Sequence, residues 1–470
     1  MTLTTLTGPA DARLELLQNQ QQTGSIEAMS NAPSLPQPDR SYTASIVTIG
    51  VLFFVFGFVT WINGPLITFV KLAFDLDTDA KAFLVTTAFY MAYFFLALPS
   101  SWILERTGMK KGMALGLLLM AVGSYVFGTF ATQRHYPLAL TGLFIIGSGL
   151  ALLQTASNPY ISILGPIESA ARRISIMGIC NKVAGILSPI VLGALVLQGI
   201  DHLEGRVNAA ATPELKNAIL NEFAAKVYTP YLVLASLLVL LAIWIVRSPL
   251  PDIRAAEANA QDAHGTGESK RSLFQFPHLW LGALCIFVYV GVEVLAGDAI
   301  GTYGKGFHIP SDQTKYFTAF TLTAMLVGYV AGVIAIPRYI AQQQALSISA
   351  VLGVLFAFAA FLTSGYVSVG FVAALGLANA LMWPAIFPLS IRSLGRFTEK
   401  GSAILIMGIA GGAILPNLFA HFKEHFDFQA VFLAITVPCY LYILYFGLKG
   451  YRAGLGLPAS TGRSALQPET

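Results

Sequence analysis

The stretch "ISIMGICNKVAGILSP", residues 174–189, returns in outline as "AILIMGIAGGAILP", residues 403–416. Each copy lies in an apolar window and follows a basic loop and a proline-containing apolar segment. The chain around them has 470 residues, 55% hydrophobic and only 11% charged. A soluble domain carries about 25% charged residues, so the composition is that of a polytopic membrane protein, with the lipid bilayer as its first partner. Apolar windows long enough to cross, roughly 20 residues each, fall at 45–69, 82–104, 112–131, 137–164, 174–198, 230–246, 279–303, 316–336, 345–363, 367–394, 402–422 and 428–448. The repeat therefore pairs the fifth span with the eleventh. It predicts two related six-span halves, 45–247 and 278–450, joined by a polar linker, 248–277. Parallel repeats of this kind build one large class of membrane carriers.

The segments outside the spans, 1–44 and 451–470, are polar and read as disordered cytoplasmic tails. The first lacks the basic-then-apolar order of a signal peptide. Loop charges set the orientation. Arg106, Lys110 and Lys111, Arg172 and Arg173, Arg247, Arg254, Lys270 and Arg271, Arg338, Arg392, Arg396 and Lys400, and Lys449 and Arg452 share one side. The other side is poorer in basic residues, so the richer side is expected to be cytoplasmic, with both termini inside. No Lys/Arg-rich run points to nucleic acid. Cys180, Cys285 and Cys439 stand singly in apolar stretches, without disulfide or metal spacing. The seven histidines lie mostly in loops and form no catalytic constellation, so neither an enzyme nor a cofactor or metal site is expected. A monomer is the expectation.

"SSWILERTGMKKG", residues 100–112, resembles the loop between the second and third helices of the major facilitator superfamily. Glu105, Arg106, Gly108 and Lys110 follow that loop's acidic–basic–glycine–basic order. The glycine permits a tight turn, and the charges can hold neighbouring helix ends in one conformation. "TAFYMAYFFLALPS", "LLQTASNPYISILGP" and "WPAIFPLSIRSLG" are similar to the fucose permease and glucose/galactose permease family of bacterial sugar:cation symporters, a likeness running over about residues 46–447. The resemblance implies an all-α fold of twelve transmembrane helices in two pseudo-symmetric six-helix bundles, in a bacterial inner membrane. It also implies cation-coupled sugar symport by alternating access.

The chain departs from the fucose branch where that branch has its acids. The first span reads "FVTWINGPLI" with no carboxylate, and the fourth carries Gln154. Gln154 and "GLANALMWPAIF" are closer to the glucose/galactose branch. A hexose such as glucose or galactose is therefore expected ahead of N-acetylglucosamine and fucose, and H+ ahead of Na+ as the coupling ion. An uncoupled facilitator or an efflux carrier of the same fold is the competing function.

Polar groups inside the spans carry the chemistry. "VYVGVEVLAGDAIGTYGKGF", residues 288–307, holds Glu293 and Asp298 in a strongly apolar neighbourhood. Each costs roughly 2.5–3.5 kcal/mol there unless something pairs with it or uses it. Gly291, Gly297, Gly301 and Gly304 predict a helix interruption, which exposes carbonyls for cations. Glu293 is expected to be the coupling carboxylate, binding the cation or gripping sugar hydroxyls; Asp298 shares that role or caps a wet helix end. Lys182, beside Asn181, needs a counter-charge and is expected to pair with Glu293 or Asp298 in one conformational state.

Sugar recognition needs amides for adjacent hydroxyls and aromatic faces for the apolar side of the ring. Asn63, Trp61, Tyr90, Tyr93, Gln154, Asn158, Asn181, Asn379 and Trp383 are the candidates. Hydrogen bonds between helices are the alternative use of the amides. Pro159, Pro189, Pro384 and Pro416 are expected to bend their spans, either for gating or for packing alone.

Overall fold

The computed structural model describes residues 40–163, 170–248, 250 and 272–455. The chain divides into two compact units, Met1–Ile46 and Val47–Thr470. The described part of the first only opens a helix, and the bundle of spans is built by the second. Among the described residues all regular structure is helical. In chain order the longer helices are α1 Arg40–Trp61, α2 Asn63–Ala73, α3 Leu84–Thr132, α4 Tyr136–Ile163, α5 Ala170–Leu195, α6 Ile200–Asn208, α7 Pro213–Ala225 and α8 Tyr228–Arg247. They continue as α9 Pro277–Gly297, α10 Ile300–Lys305, α11 Phe317–Ala335, α12 Gln342–Leu362, α13 Gly365–Asn379, α14 Met382–Ile391, α15 Thr398–Met407, α16 Gly411–Phe422 and α17 Phe428–Leu448.

Eleven helical segments among the described residues are long and apolar enough to cross a bilayer. One of them, α3, has 49 residues. At 1.5 Å per residue that is about 74 Å, more than twice the hydrocarbon thickness of about 30 Å. Gly108 divides it, with φ 75° and ψ 165°, a conformation that only glycine adopts without strain. The count is therefore twelve spans, close to the apolar windows of the sequence. The expected linker falls mostly on residues 249 and 251–271, and most of both tails on 1–39 and 456–470, outside the described residues.

Two helices escape the apolar windows. Between the fifth and sixth spans lie α6 and α7, both too polar to register as membrane segments. Thr212 caps α7 by accepting from the Leu215 amide at 3.2 Å, and Pro213 follows at the first helical position. There its missing N–H costs nothing. Val207, Ile219 and Leu220 then form a small core against Leu72 and Leu203, which seats both helices on one face of the span bundle.

Four spans are interrupted. The first breaks at Ile62, because Pro65 has no N–H for the Trp61 carbonyl four residues back. In the tenth, Pro384 likewise leaves the Ala380 carbonyl without its helical donor, and the helix stops between α13 and α14. The eleventh passes through a tight turn at Gly408–Ala410, where Gly408, Gly411 and Gly412 weaken the helix by about 1 kcal/mol each. The seventh breaks at Asp298 and Ala299, within the glycine-rich stretch. Pro159 and Pro189 sit inside α4 and α5, which remain continuous.

A glycine stripe on α5 sets how closely it approaches the first span and, through Gly178 and Gly193, the last six spans. Gly178, Gly185 and Gly193 recur every two turns. A Cβ on each would stand 2.3 Å from the Tyr329 ring, 2.6 Å from Trp61 and 2.7 Å from Tyr316 respectively. Small residues let the helices close until aromatic rings fill the seam.

Candidate functional site

A cavity lies where the interrupted spans meet α5. The first span contributes Phe53, Phe56, Thr60 and Trp61; the second Tyr90 and Tyr93; the fourth Gln154 and Asn158; the fifth Gly178, Asn181 and Lys182. Across from them stand Tyr289 and Glu293 of α9, Tyr329 of α11 and Trp383 of α14. Tyr289, Val290, Glu293 and Val294 all face the cavity from α9, where spacings of three and four residues stack side chains on one side of a helix.

One ion pair crosses the cavity. Lys182 Nζ donates to Glu293 Oε1 at 3.1 Å, with the two side chains 5% and 10% exposed. Lys182 also lies 4.2 Å from the centroid of the Trp61 ring. Trp61 Nε1 in turn donates to Asn181 Oδ1 at 3.3 Å, and Asn181 Nδ2 to the Phe53 carbonyl at 3.4 Å. Gln154 Nε2 donates to the Tyr93 hydroxyl at 3.0 Å. Asn158 Nδ2 donates to the Gln154 carbonyl at 3.0 Å. The wall is thus amides and phenols around a single cation and a single carboxylate, with aromatic rings between them.

The sequence candidates do not all converge. Trp61, Tyr90, Tyr93, Gln154, Asn158, Asn181, Lys182, Glu293 and Trp383 line the cavity; Asn63, Asn379 and Asp298 do not. Asn63 Nδ2 donates to the Thr60 carbonyl at 3.0 Å. Asn379 Oδ1 accepts from the Tyr440 hydroxyl at 3.0 Å, a contact within the last six spans. Asp298 is buried at the break of the seventh span, where Oδ2 accepts from the Tyr90 hydroxyl at 3.4 Å. The sequence reading passed over Tyr289 and Tyr329. Tyr289 could have been found, since it lies one helical turn before Glu293 on the same face; Tyr329 has no local signal.

Closure differs between the two ends of the bundle. At the end carrying Gly108, Glu105 and Lys400 form a partly exposed pair at 3.8 Å. Lys110 Nζ donates to the Ser248 carbonyl, and Arg106 is exposed. Ala171, Ile336 and Ala345 pack there as an apolar contact between the first and last six spans. At the opposite end Asp79 bridges Lys71, after the first span, and Lys423, after the eleventh. Burial opposes its charge, but Lys423 and Lys71 outweigh burial and hold the carboxyl below the usual carboxylate range. Asp201 of α6 accepts from the Ser311 and Asp312 amides at 3.0 and 3.2 Å, and Lys315 Nζ donates to the Leu197 carbonyl at 3.0 Å. Asn417 Nδ2 donates to Thr87 Oγ1 at 2.6 Å. Among the described residues no cluster of three or more His, Cys, Asp or Glu could hold a metal ion.

Residues 49–416 match the family described as Major Facilitator Superfamily. The chain is 32% identical over 421 residues to the glucose/galactose transporter of Brucella abortus, an alignment covering 88% of this chain and 96% of that one. It is 29% identical over 392 residues to the L-fucose-proton symporter of Escherichia coli, covering 82% and 88%. The crystal structure of the superfamily transporter FucP in its outward conformation superposes with a TM-score of 0.69. That match has 25% identity and covers 87% of this chain and 99% of that one.

Proposed function

The chain belongs to the major facilitator superfamily, in its branch of fucose and glucose/galactose transporters, and is a carrier and not an enzyme; from that premise we propose that it takes up a hexose such as glucose or galactose together with a proton. The observation that carries this reading is the composition of the cavity wall. Aromatic rings of Trp61, Tyr90, Tyr289 and Trp383 offer faces to the C–H side of a pyranose, and Gln154, Asn158 and Asn181 offer paired donors and acceptors to its hydroxyls. A pocket for apolar or cationic efflux substrates would have little use for three amides. A uniporter would have little use for two buried carboxylates in the seventh span. N-acetylglucosamine and fucose are the alternative substrates within the same family.

In this reading the halves 45–247 and 278–450 rock about the cavity, which opens to alternate sides while the sugar stays between them. Glu293, Asp298 and Lys182 are the buried charges among which the coupling site lies. Glu105, Arg106, Gly108 and Lys110 serve as the hinge between the second and third spans. The protein works as a monomer, with the Gly108 end and both termini in the cytoplasm. Uptake of a labelled panel of glucose, galactose, N-acetylglucosamine and fucose into proteoliposomes tests it, with pH and Na+ gradients imposed separately. Accumulation of one hexose driven by an inward proton gradient is expected. Equilibration without accumulation under either gradient overturns symport, and indifference to every sugar overturns the substrate class.

A further inference from the structure

The two acids of the seventh span occupy different environments. Glu293 faces the cavity and is neutralised by Lys182 at 3.1 Å. Asp298 lies outside the cavity wall, 2% exposed, and its Oδ1 has no hydrogen-bond partner. The helix break around it is otherwise closed. The Ala296 and Gly297 carbonyls, freed where α9 ends, accept from Thr321 Oγ1 and Thr318 Oγ1 at 2.8 Å each. Gly64 brings the first span against the carboxylate: a Cβ there would stand 3.3 Å from Asp298 Oδ1. On the neighbouring residue, Asn63 Oδ1 is a second buried acceptor without a donor.

We propose that Asp298, and not Glu293, carries the coupling proton, while the Glu293–Lys182 pair belongs to the sugar pocket. The inference rests on the proton-coupled uptake proposed above. What this junction lacks is a donor that closes a hydrogen bond to Oδ1: the Gly64 amide faces the carboxylate without doing so. Its hydroxyl donors are committed: Thr318 and Thr321 to carbonyls, and Tyr90, with one proton, to Asp298 Oδ2. A metal ion would need about six oxygens around it, and among the described residues only Asp298 Oδ1 and Asn63 Oδ1 stand unpartnered at this junction. A proton on Asp298 Oδ1 needs only that one atom. The titratable and charged groups facing Asp298 are Tyr90 from the second span, Lys182 from the fifth and Glu293 on its own span. Of these only Lys182 is a cation, and it is bonded to Glu293. The junction joins the first and seventh spans, so loading and unloading Oδ1 acts on the contact between the two halves. The proton enters from one compartment and leaves to the other, one per sugar, with no other bond made or broken.

The test uses the whole protein in proteoliposomes with the hexose that wild type transports, reading labelled-sugar exchange at zero gradient and sugar-evoked proton entry by an internal pH dye. Asp298→Asn mimics the protonated acid. It is expected to exchange sugar within about threefold of wild type and to lose sugar-evoked proton entry. Glu293→Gln is expected to raise the KM for exchange about tenfold or more, while the sugar it carries still brings protons. The converse, a coupled Asp298→Asn beside an uncoupled Glu293→Gln with normal KM, overturns the assignment. Should Asp298→Asn fail to fold, Asp298→Glu decides: a displaced pH profile of coupling at unchanged sugar KM supports the proposal, and an unmoved profile overturns it. Wild type that moves sugar without protons overturns proton-coupled uptake itself, and the assignment with it.

Discussion

Lys182→Met removes one charge from the middle of the bundle and keeps most of the side-chain volume. Its partner, Glu293, is left 10% exposed with no cation in reach. For unit charges 3.1 Å apart, an effective dielectric of about 20 gives an interaction of about 5 kcal/mol. Breaking a buried pair by removing one partner typically costs about 3–5 kcal/mol. The pair lines a cavity, so the low end of that range applies, about 3 kcal/mol, with about 1–2 kcal/mol more for the contact with the Trp61 ring. Lys182→Met/Glu293→Gln removes both charges and strands neither, so it should recover most of the loss. Denaturant unfolding in detergent supplies the free energies, read by a thiol-reactive dye that reports exposure of the buried Cys285 and Cys439. A double-mutant cycle should give a coupling energy of about 2–3 kcal/mol. A coupling within about 0.5 kcal/mol of zero, or a double variant less stable than either single one, would refute the reasoning.

Asp79→Asn should loosen the end it closes, so that a cysteine at Asn417 labels several times faster with an impermeant thiol reagent. Because Lys423 and Lys71 hold the Asp79 carboxyl below the ordinary 3.8, the closed end binds fewer protons than the open one; wild-type labelling should be flat at neutral pH and rise only as pH falls below that value. Gly64→Ala places a methyl 2.5 Å from Thr318 Oγ1, and overpacking of about 1–3 kcal/mol should cut uptake about tenfold or more. Gly205→Ala, which has no atom within 4 Å, should leave uptake unchanged. A topology reporter fused after Leu250 should read as cytoplasmic and one near Gly205 as lying on the other side; the reverse pattern overturns the orientation.

The spans were legible because the bilayer imposes one length and one composition on each of them. The interruption of the seventh was legible in its glycines, and that of the tenth in Pro384. Those signals are local, and they fail where a position is decided by contact. Pro159 and Pro189, expected to bend their spans, lie inside α4 and α5, which run on through them, whereas Pro384 stops its helix. Asn379 looks like a sugar ligand, but the residue that claims it, Tyr440, is 61 positions away. Lys182 needed a counter-charge and was expected to meet Glu293 or Asp298; that it meets Glu293, 111 positions away, while Asp298 is excluded from the cavity, is a tertiary fact. The helices α6 and α7 were missed for a different reason. Their stability comes from a cap and a small apolar face, and neither raises the hydropathy of a window.

The two ends of the bundle are closed by different chemistry, and this bears on how a carrier can alternate. At the Asp79 end the contacts between the first and last six spans include ion pairs and hydrogen bonds: Asp79 with Lys423, Asp201 with the Ser311 and Asp312 amides, and Asn417 with Thr87. Among the described residues those at the Gly108 end include the packing of Ala171 on Ile336 and Ala345 and a loose, exposed pair, Glu105 with Lys400. Exposed ion pairs contribute about 0–1 kcal/mol each and weaken in salt, whereas apolar contact does not. The Asp79–Lys423 pair, 17% and 15% exposed, is screened less than the exposed Glu105–Lys400 pair, so the two closures respond to different variables. Loss of the Asp79 carboxylate acts on one end and leaves the other intact. Between them lie the α5 glycine stripe and the Lys182–Glu293 pair, which belong to neither end. A bundle sealed by the same chemistry at both ends would open at both together under any change that weakened that chemistry. With unlike seals, opening one end carries no energetic requirement to open the other, which is the condition for moving a sugar without leaving a continuous path for ions.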